Sequence, residues 1–158
     1  MKKGIIITSA VIMSVVLVFS ITLLMISQDP IKNAEEETIA IAKESAGLVT
    51  ATDFYWYNRD KTYFSVAGVN ESNEEIMVIV AKDGGKTTIL NQDEFITEQQ
   101  AKELTREDKG SIDILEARIG LEGDTPIWEI SYKQANGRLG YYVLTAKSGE
   151  WVSDIENI

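Results

Sequence analysis

Apolar residues are distributed along this chain in three distinct patterns. From Gly4 to Ile26, 23 consecutive positions carry no charge, and 14 of them are Ile, Leu, Val or Phe. As a helix this stretch would be about 35 Å long, enough to cross a ~30 Å hydrocarbon core with some tilt. Its summed insertion free energy is about −4 to −8 kcal/mol, an upper bound because Thr8, Ser9, Ser14, Ser20 and Thr22 oppose it. Lys2 and Lys3 precede the stretch and Asp29 follows it. That asymmetry predicts a cytoplasmic N-terminus, with the rest of the chain outside the membrane. The exit Leu24-Met25-Ile26-Ser27-Gln28-Asp29 lacks a small-residue cleavage pattern, and the run exceeds the roughly 7–15 residues of a secretory signal core. A single-pass, uncleaved anchor is therefore expected over residues 1–27.

Helical spacing follows. Asp29-Pro30 predicts a helix start, with Asp as cap and Pro at the first helical position. Glu35, Glu36 and Glu37 suit the positive end of the helix dipole. Ile31, Ala34, Thr38, Ile41, Ala42 and Ser45 form one apolar-to-small stripe, and Gly47 can close the helix. Short runs of β-branched and aromatic residues come next, predicting strands at Leu48–Tyr57, Thr62–Val69, Ile76–Ala81 and Lys86–Leu90. Their links hold Asn58-Arg59-Asp60, Asn70–Asn73 and Asp83-Gly84-Gly85.

The design then restarts. Thr97-Glu98-Gln99-Gln100 reads as a capping box, Ile96 and Ala101 as its hydrophobic staple, and Gly110 as the helix end. Strands are predicted at Ile112–Leu121, Pro126–Lys133, Arg138–Ala146 and near Trp151, with a hairpin at Asn136-Gly137. Within the first of these the apolar parity switches between Ile114 and Ala117, which predicts a one-residue bulge near Leu115-Glu116. Ala81-Lys82-Asp83-Gly84 falls 65 residues before Ala146-Lys147-Ser148-Gly149, and Ile31 falls 65 before Ile96. This weak internal repeat predicts an α+β chain: an anchor over 1–27, one helix-on-sheet unit over 28–93 and a second over 94–158.

Charge narrows the partners. The chain has 25 acidic and 15 basic residues, a net charge of −10, and the part beyond Lys2 and Lys3 is more acidic still. Such a surface repels phosphate backbones, which argues against nucleic acid. There is no cysteine, so neither a disulfide framework nor a lipidated N-terminal cysteine is available. Apolar burial must hold the fold.

Histidine is absent as well, which removes Cys–His and Ser–His–Asp catalysis and the usual zinc ligand sets. No serine has a lysine three positions later, so the Ser-x-x-Lys signature of penicillin-binding enzymes is missing. A glycosidase needs only two carboxylates, but Glu35–Glu37 and Glu74-Glu75 fit a solvated helix face and a loop better. No calcium-loop spacing or phosphate-binding glycine loop occurs. No catalytic residue, metal, cofactor or small-molecule substrate is expected, and the chain reads as a non-enzyme.

Binding has clearer candidates. In Phe54-Tyr55-Trp56-Tyr57, strand alternation puts Phe54 and Trp56 on one face and Tyr55 and Tyr57 on the other. One pair can fill the core under the first helix. The other must cover either the second unit or another protein. Trp128, Ile130 and Tyr132 form a further stripe that suits a core, with Trp128 also a candidate contact.

Several of these segments resemble one family. Gly47-Leu48-Val49, Phe54-Tyr55-Trp56-Tyr57-Asn58, Pro126-Ile127-Trp128-Glu129-Ile130-Ser131-Tyr132, Tyr141-Tyr142 and Ser148-Gly149-Glu150 together resemble the YpmB-like family, also described as TseB-like cell wall elongation regulators. The resemblance runs essentially end to end. It implies two tandem cystatin-like or PepSY-like units outside the membrane of a low-GC Gram-positive bacterium. It also implies a role in cell-wall elongation through contact with a class B penicillin-binding protein, and it supplies no catalytic residues. The last sixty or so residues alone look like a PepSY module, which keeps open an inhibitor or chaperone of a secreted peptidase. A sensor of small wall fragments would require a pocket with converging polar groups.

Overall fold

The computed structural model describes the backbone of residues 2–83, 86–156 and 158, and the side chains of these residues except 2–10 and 22–29. The chain divides into two units, 1–36 and 37–158. One helix, α1 (Lys2–Ala46), runs through that division. The helix start expected at Asp29-Pro30 is thereby corrected, because Pro30 lies inside α1. An interior proline forfeits a backbone hydrogen bond and crowds the preceding turn, at a cost of about 3 kcal/mol. Breaking the helix there would leave several donors and acceptors on each side without intrahelical partners. Continuity avoids that larger loss. Among the described residues no helix is long and apolar enough to cross a membrane, and Gly4–Ile26 lies partly outside those whose side chains are described.

All eight expected strands form, with ends displaced by a residue or two. The first sheet is a meander, β1 (Leu48–Asn58), β2 (Thr62–Asn70), β3 (Glu75–Ala81) and β4 (Thr87–Asn91), in the order β1-β2-β3-β4. The turn at Gly84-Gly85 lies outside the described residues. A short 3₁₀ turn, Gln92–Glu94, leads to α2 (Glu98–Lys109). The second sheet repeats the meander as β5 (Ile112–Glu122), β6 (Thr125–Gln134), β7 (Leu139–Thr145) and β8 (Trp151–Glu156). Every neighbouring pair is antiparallel.

Local chemistry explains these boundaries. Gly47 and Gly110 follow their helices at φ +63° and +72°, where a side chain would be strained. Thr97 accepts from the Gln100 amide while the Gln100 side chain accepts from the Thr97 amide, completing the capping box. The β5–β6 register shifts between Ile114 and Glu116, and Leu115 is left 55% exposed. The bulge inferred from the parity switch is present.

Within residues 37–158, one face of the first sheet offers Val66, Ile76, Val78 and Val80 to Ala42 and Leu48, with Ile39 and Ile41 at the margin. Thr38 is buried on the same helix, whereas Ile31 and Ser45, also expected in the stripe, are exposed. The Ser45 hydroxyl instead donates to the Ile41 carbonyl. The opposite sheet face carries Tyr57, Tyr63, Ala67, Met77 and Ile79. These join a second cluster with Ile119, Trp128, Ile130, Tyr132 and Leu144 of the second sheet and Ala101 of α2. β3 is therefore covered on both faces, which is why Ile76–Val80 is an unbroken apolar run instead of an alternation.

The contact between the sheets is edge against face. β5 is an edge strand of its sheet, and the buried Ser65 hydroxyl of β2 donates to its Ile119 carbonyl at 3.2 Å. Ile119 pairs with Trp128 and Gly120 with Ile127, so these two pairs point to opposite faces of the second sheet. Tyr55 reaches the Trp128 side, while the Tyr57 ring lies against Gly120. Two tyrosines on one face of β1 thus grip β5 from both sides.

Candidate interaction surface

The β1 aromatics separate into a buried pair and a surface pair. The hairpin Asn58-Arg59-Asp60-Lys61 sets the register in which Trp56 lies opposite Phe64 and Tyr57 opposite Tyr63. Alternation does the rest.

Tyr57 is 2% exposed, with its ring 6.2 Å from that of Tyr63. Gly120 exists for this ring: a Cβ there would come within 2.4 Å of it. Burial pushes the Tyr57 hydroxyl up to about 12, and the Glu129 charge adds to the shift. Tyr55 is half-buried; it meets Trp128 edge-on at 5.4 Å and 82°, and its hydroxyl donates to Glu98 Oε2 at 2.8 Å. Burial, reinforced by that carboxylate, raises its pKa far above the usual tyrosine value. Trp128 is 1% exposed, and its indole N–H donates to the Ile96 carbonyl at 2.9 Å. The Tyr55 hydroxyl and the Trp128 indole N–H are structural donors, while the Tyr57 hydroxyl accepts from Arg59.

Phe54 and Trp56 lie on the other face of β1. Phe54 stacks on Phe64 at 6.1 Å and 17°, and Trp56 tilts against the same ring at 5.7 Å. Trp56 is 36% exposed. The structure brings Phe54 and Trp56 together with Phe64, and brings Tyr55 and Tyr57 to opposite sides of β5. Phe64 was absent from the sequence-based candidates. Its signal was the hairpin register, since a short Asn58–Lys61 link places Phe64 beside Trp56. This patch offers flat aromatic area and no reactive group, which suits protein contact and not chemistry.

A helix-and-meander unit repeated once, with aromatics at the join and a further aromatic patch outside, defines an α+β protein built on two four-stranded antiparallel sheets. Residues 37–81 match the family described as "Cell wall elongation regulator TseB-like domain". The YpmB protein from Bacillus subtilis has a similar structure, with a TM-score of 0.68 and 20% sequence identity over 77% of this chain and 95% of that one. The family match and the shared fold support the YpmB/TseB-like assignment made from the sequence. No curated protein matches the chain in sequence. The matched segment holds the end of α1 and strands β1 to β3, and so includes the whole aromatic patch. That family's description names the regulation of cell-wall elongation.

Proposed function

We propose that this chain is a membrane-tethered, non-catalytic regulator of cell-wall elongation that acts outside the cytoplasmic membrane by binding a class B penicillin-binding protein. The observation that carries this is the TseB-like match over residues 37–81, whose sequence supplies Phe54, Trp56 and Phe64 to one surface. The uncharged run Gly4–Ile26 behind Lys2 and Lys3 supports the tether and its direction. Confinement to one membrane raises the effective concentration of a partner anchored in it, so a contact of modest affinity is occupied. Of the five aromatic candidates, Phe54 and Trp56 make the direct contact. Tyr55, Tyr57 and Trp128 hold the surface in place from behind.

A photo-crosslinking amino acid at position 56, in cells, tests the partner. A wall-synthesis transpeptidase in the crosslinked product is the expected result. Recovery of none, under conditions that capture known transpeptidase pairs, rejects the proposal. Topology has its own test: trypsin added to intact protoplasts should digest residues 37–158. Protection in intact protoplasts, with digestion after lysis, would place the domain on the wrong side.

A further inference from the structure

The face of the second sheet that carries Arg118, Glu129 and Val143 is only partly covered. Beside the β1–β2 turn it holds a cavity of 210 Å³, lined among others by Arg59, Arg118, Glu129, Val143, Ser153 and Ile155. In a chain with a net charge of −10, two guanidinium groups line this cavity, together with the carboxylates of Glu129 and Asp154, the latter held by Lys109. Arg118 bonds Glu116 Oε2 at 2.5 Å and approaches Glu129 Oε1 at 3.7 Å, while Arg59 lies 4.0 Å from Glu122. Glu129 is buried, and that burial raises its pKa against the pull of Arg118 and Arg59. The pairs to Glu129 and Glu122 are long, and although Arg59 also donates to the Tyr57 hydroxyl, each five-donor guanidinium keeps N–H groups for a ligand. The Ser153 hydroxyl is shielded from solvent and has no hydrogen-bond partner among the described residues. A buried polar atom left without a partner is costly.

We infer that this cavity is a binding site for a small carboxylate with a short apolar body. Arg59 and Arg118 hold the carboxylate through charge-assisted hydrogen bonds, and Val143 and Ile155 receive the apolar part. Arginine is suited to this because its planar fork matches both carboxylate oxygens. The volume accepts a group of about one or two amino-acid residues, well below the several hundred Å³ of a drug-sized pocket. The end of a peptide has this chemistry, whether from a wall precursor or from an ordinary polypeptide. The site is independent of the Phe54–Trp56 patch and does not rest on the proposed transpeptidase partner.

The test uses the full chain in lipid nanodiscs with methyl-labelled valine and isoleucine. The probes are N-acetyl-D-alanyl-D-alanine, its L,L isomer and the C-terminal amide of each. Free carboxylates should shift the Val143 and Ile155 methyl signals and leave Ile119 unmoved, while the amides should not. A D,D preference identifies the wall-type source, and an L,L preference the ordinary one. Arg59→Gln, at the exposed turn, should weaken binding by roughly tenfold or more, as loss of one charge-assisted contact does. Arg118→Gln should do the same; if it unfolds the chain, Arg59→Gln alone decides. Equal shifts from acid and amide, or none at millimolar probe, overturn the assignment and leave the cavity to water. Carboxylate binding without any crosslinked transpeptidase would uphold this site while rejecting the proposed partner.

Discussion

The Ser65 hydroxyl donates to the Ile119 carbonyl, joining the middle of the first sheet to the outer edge of the second. Edge strands leave backbone groups unpaired, and here a buried side chain takes the place of a neighbouring strand. Ser65→Ala should remove the donor and strand that carbonyl inside the protein, costing about 1–3 kcal/mol. Urea denaturation of the variant would show a lower midpoint with an unchanged slope. An unaltered midpoint would mean that the edge is satisfied without Ser65.

Gly120 and Tyr57 form the second point of this join. Gly120→Ala places a methyl within 2.4 Å of the Tyr57 ring, so the ring or β5 must move. Overpacking of this kind costs about 1–3 kcal/mol. Tyr57→Leu opens the space, at its own cost of lost burial, and the two changes should be strongly non-additive. A double-mutant cycle measures this; a coupling energy near zero would show that the ring does not hold β5.

Much of this architecture is legible in the residues themselves. The strands around Tyr57, Ile79, Trp128 and Val143 stand out because β-branched and aromatic runs alternate with turn residues, and the Leu115 bulge follows from apolar parity alone. The start at Asp29-Pro30 misleads for a local reason: both residues carry initiation signals, yet helix-forming sequence lies on either side and the helix continues. Alternation also separates Phe54 and Trp56 from Tyr55 and Tyr57, but cannot say which pair turns inward. That depends on where β5 packs, a contact remote in sequence. Arg59 and Arg118 are hidden for the same reason, since they lie far apart in the sequence and only the tertiary fold brings them to one cavity.

The two faces of β1 should respond differently to truncation. Trp56→Ala removes a partly exposed ring from Phe64 and should cost about 1 kcal/mol, the worth of an aromatic pair. Trp128→Ala empties a fully buried site and should cost about 3–5 kcal/mol. If Trp56 belongs to a partner interface, its variant should lose crosslinking to that partner while keeping a near-normal thermal midpoint. Retention of the partner by a folded Trp56→Ala protein would move the interface elsewhere.

Lys109, in the last turn of α2, ties that helix to β8 through ion pairs with Asp154 and Glu156, each at 2.8 Å, and its ammonium lies 5.1 Å from the Tyr142 ring centre. Burial lowers its pKa, but the hydrogen bonds to Asp154 and Glu156 outweigh this and hold it above the usual lysine range. The Lys109 hydrogen bond draws Asp154 below its ordinary value. A raised lysine stabilises fully below its unfolded pKa of about 10.4, and the effect is lost as pH rises through the folded value. A lowered aspartate stabilises above its unfolded pKa of about 3.9, and the effect is lost as pH falls through the folded value. The stability advantage of the wild-type chain over Lys109→Met should therefore be level between about pH 5 and 9 and shrink towards both extremes. Denaturation midpoints of the two proteins across pH give the comparison directly. An advantage that stayed constant into strong acid and strong base would assign Lys109 to packing on Tyr142 and not to its ion pairs.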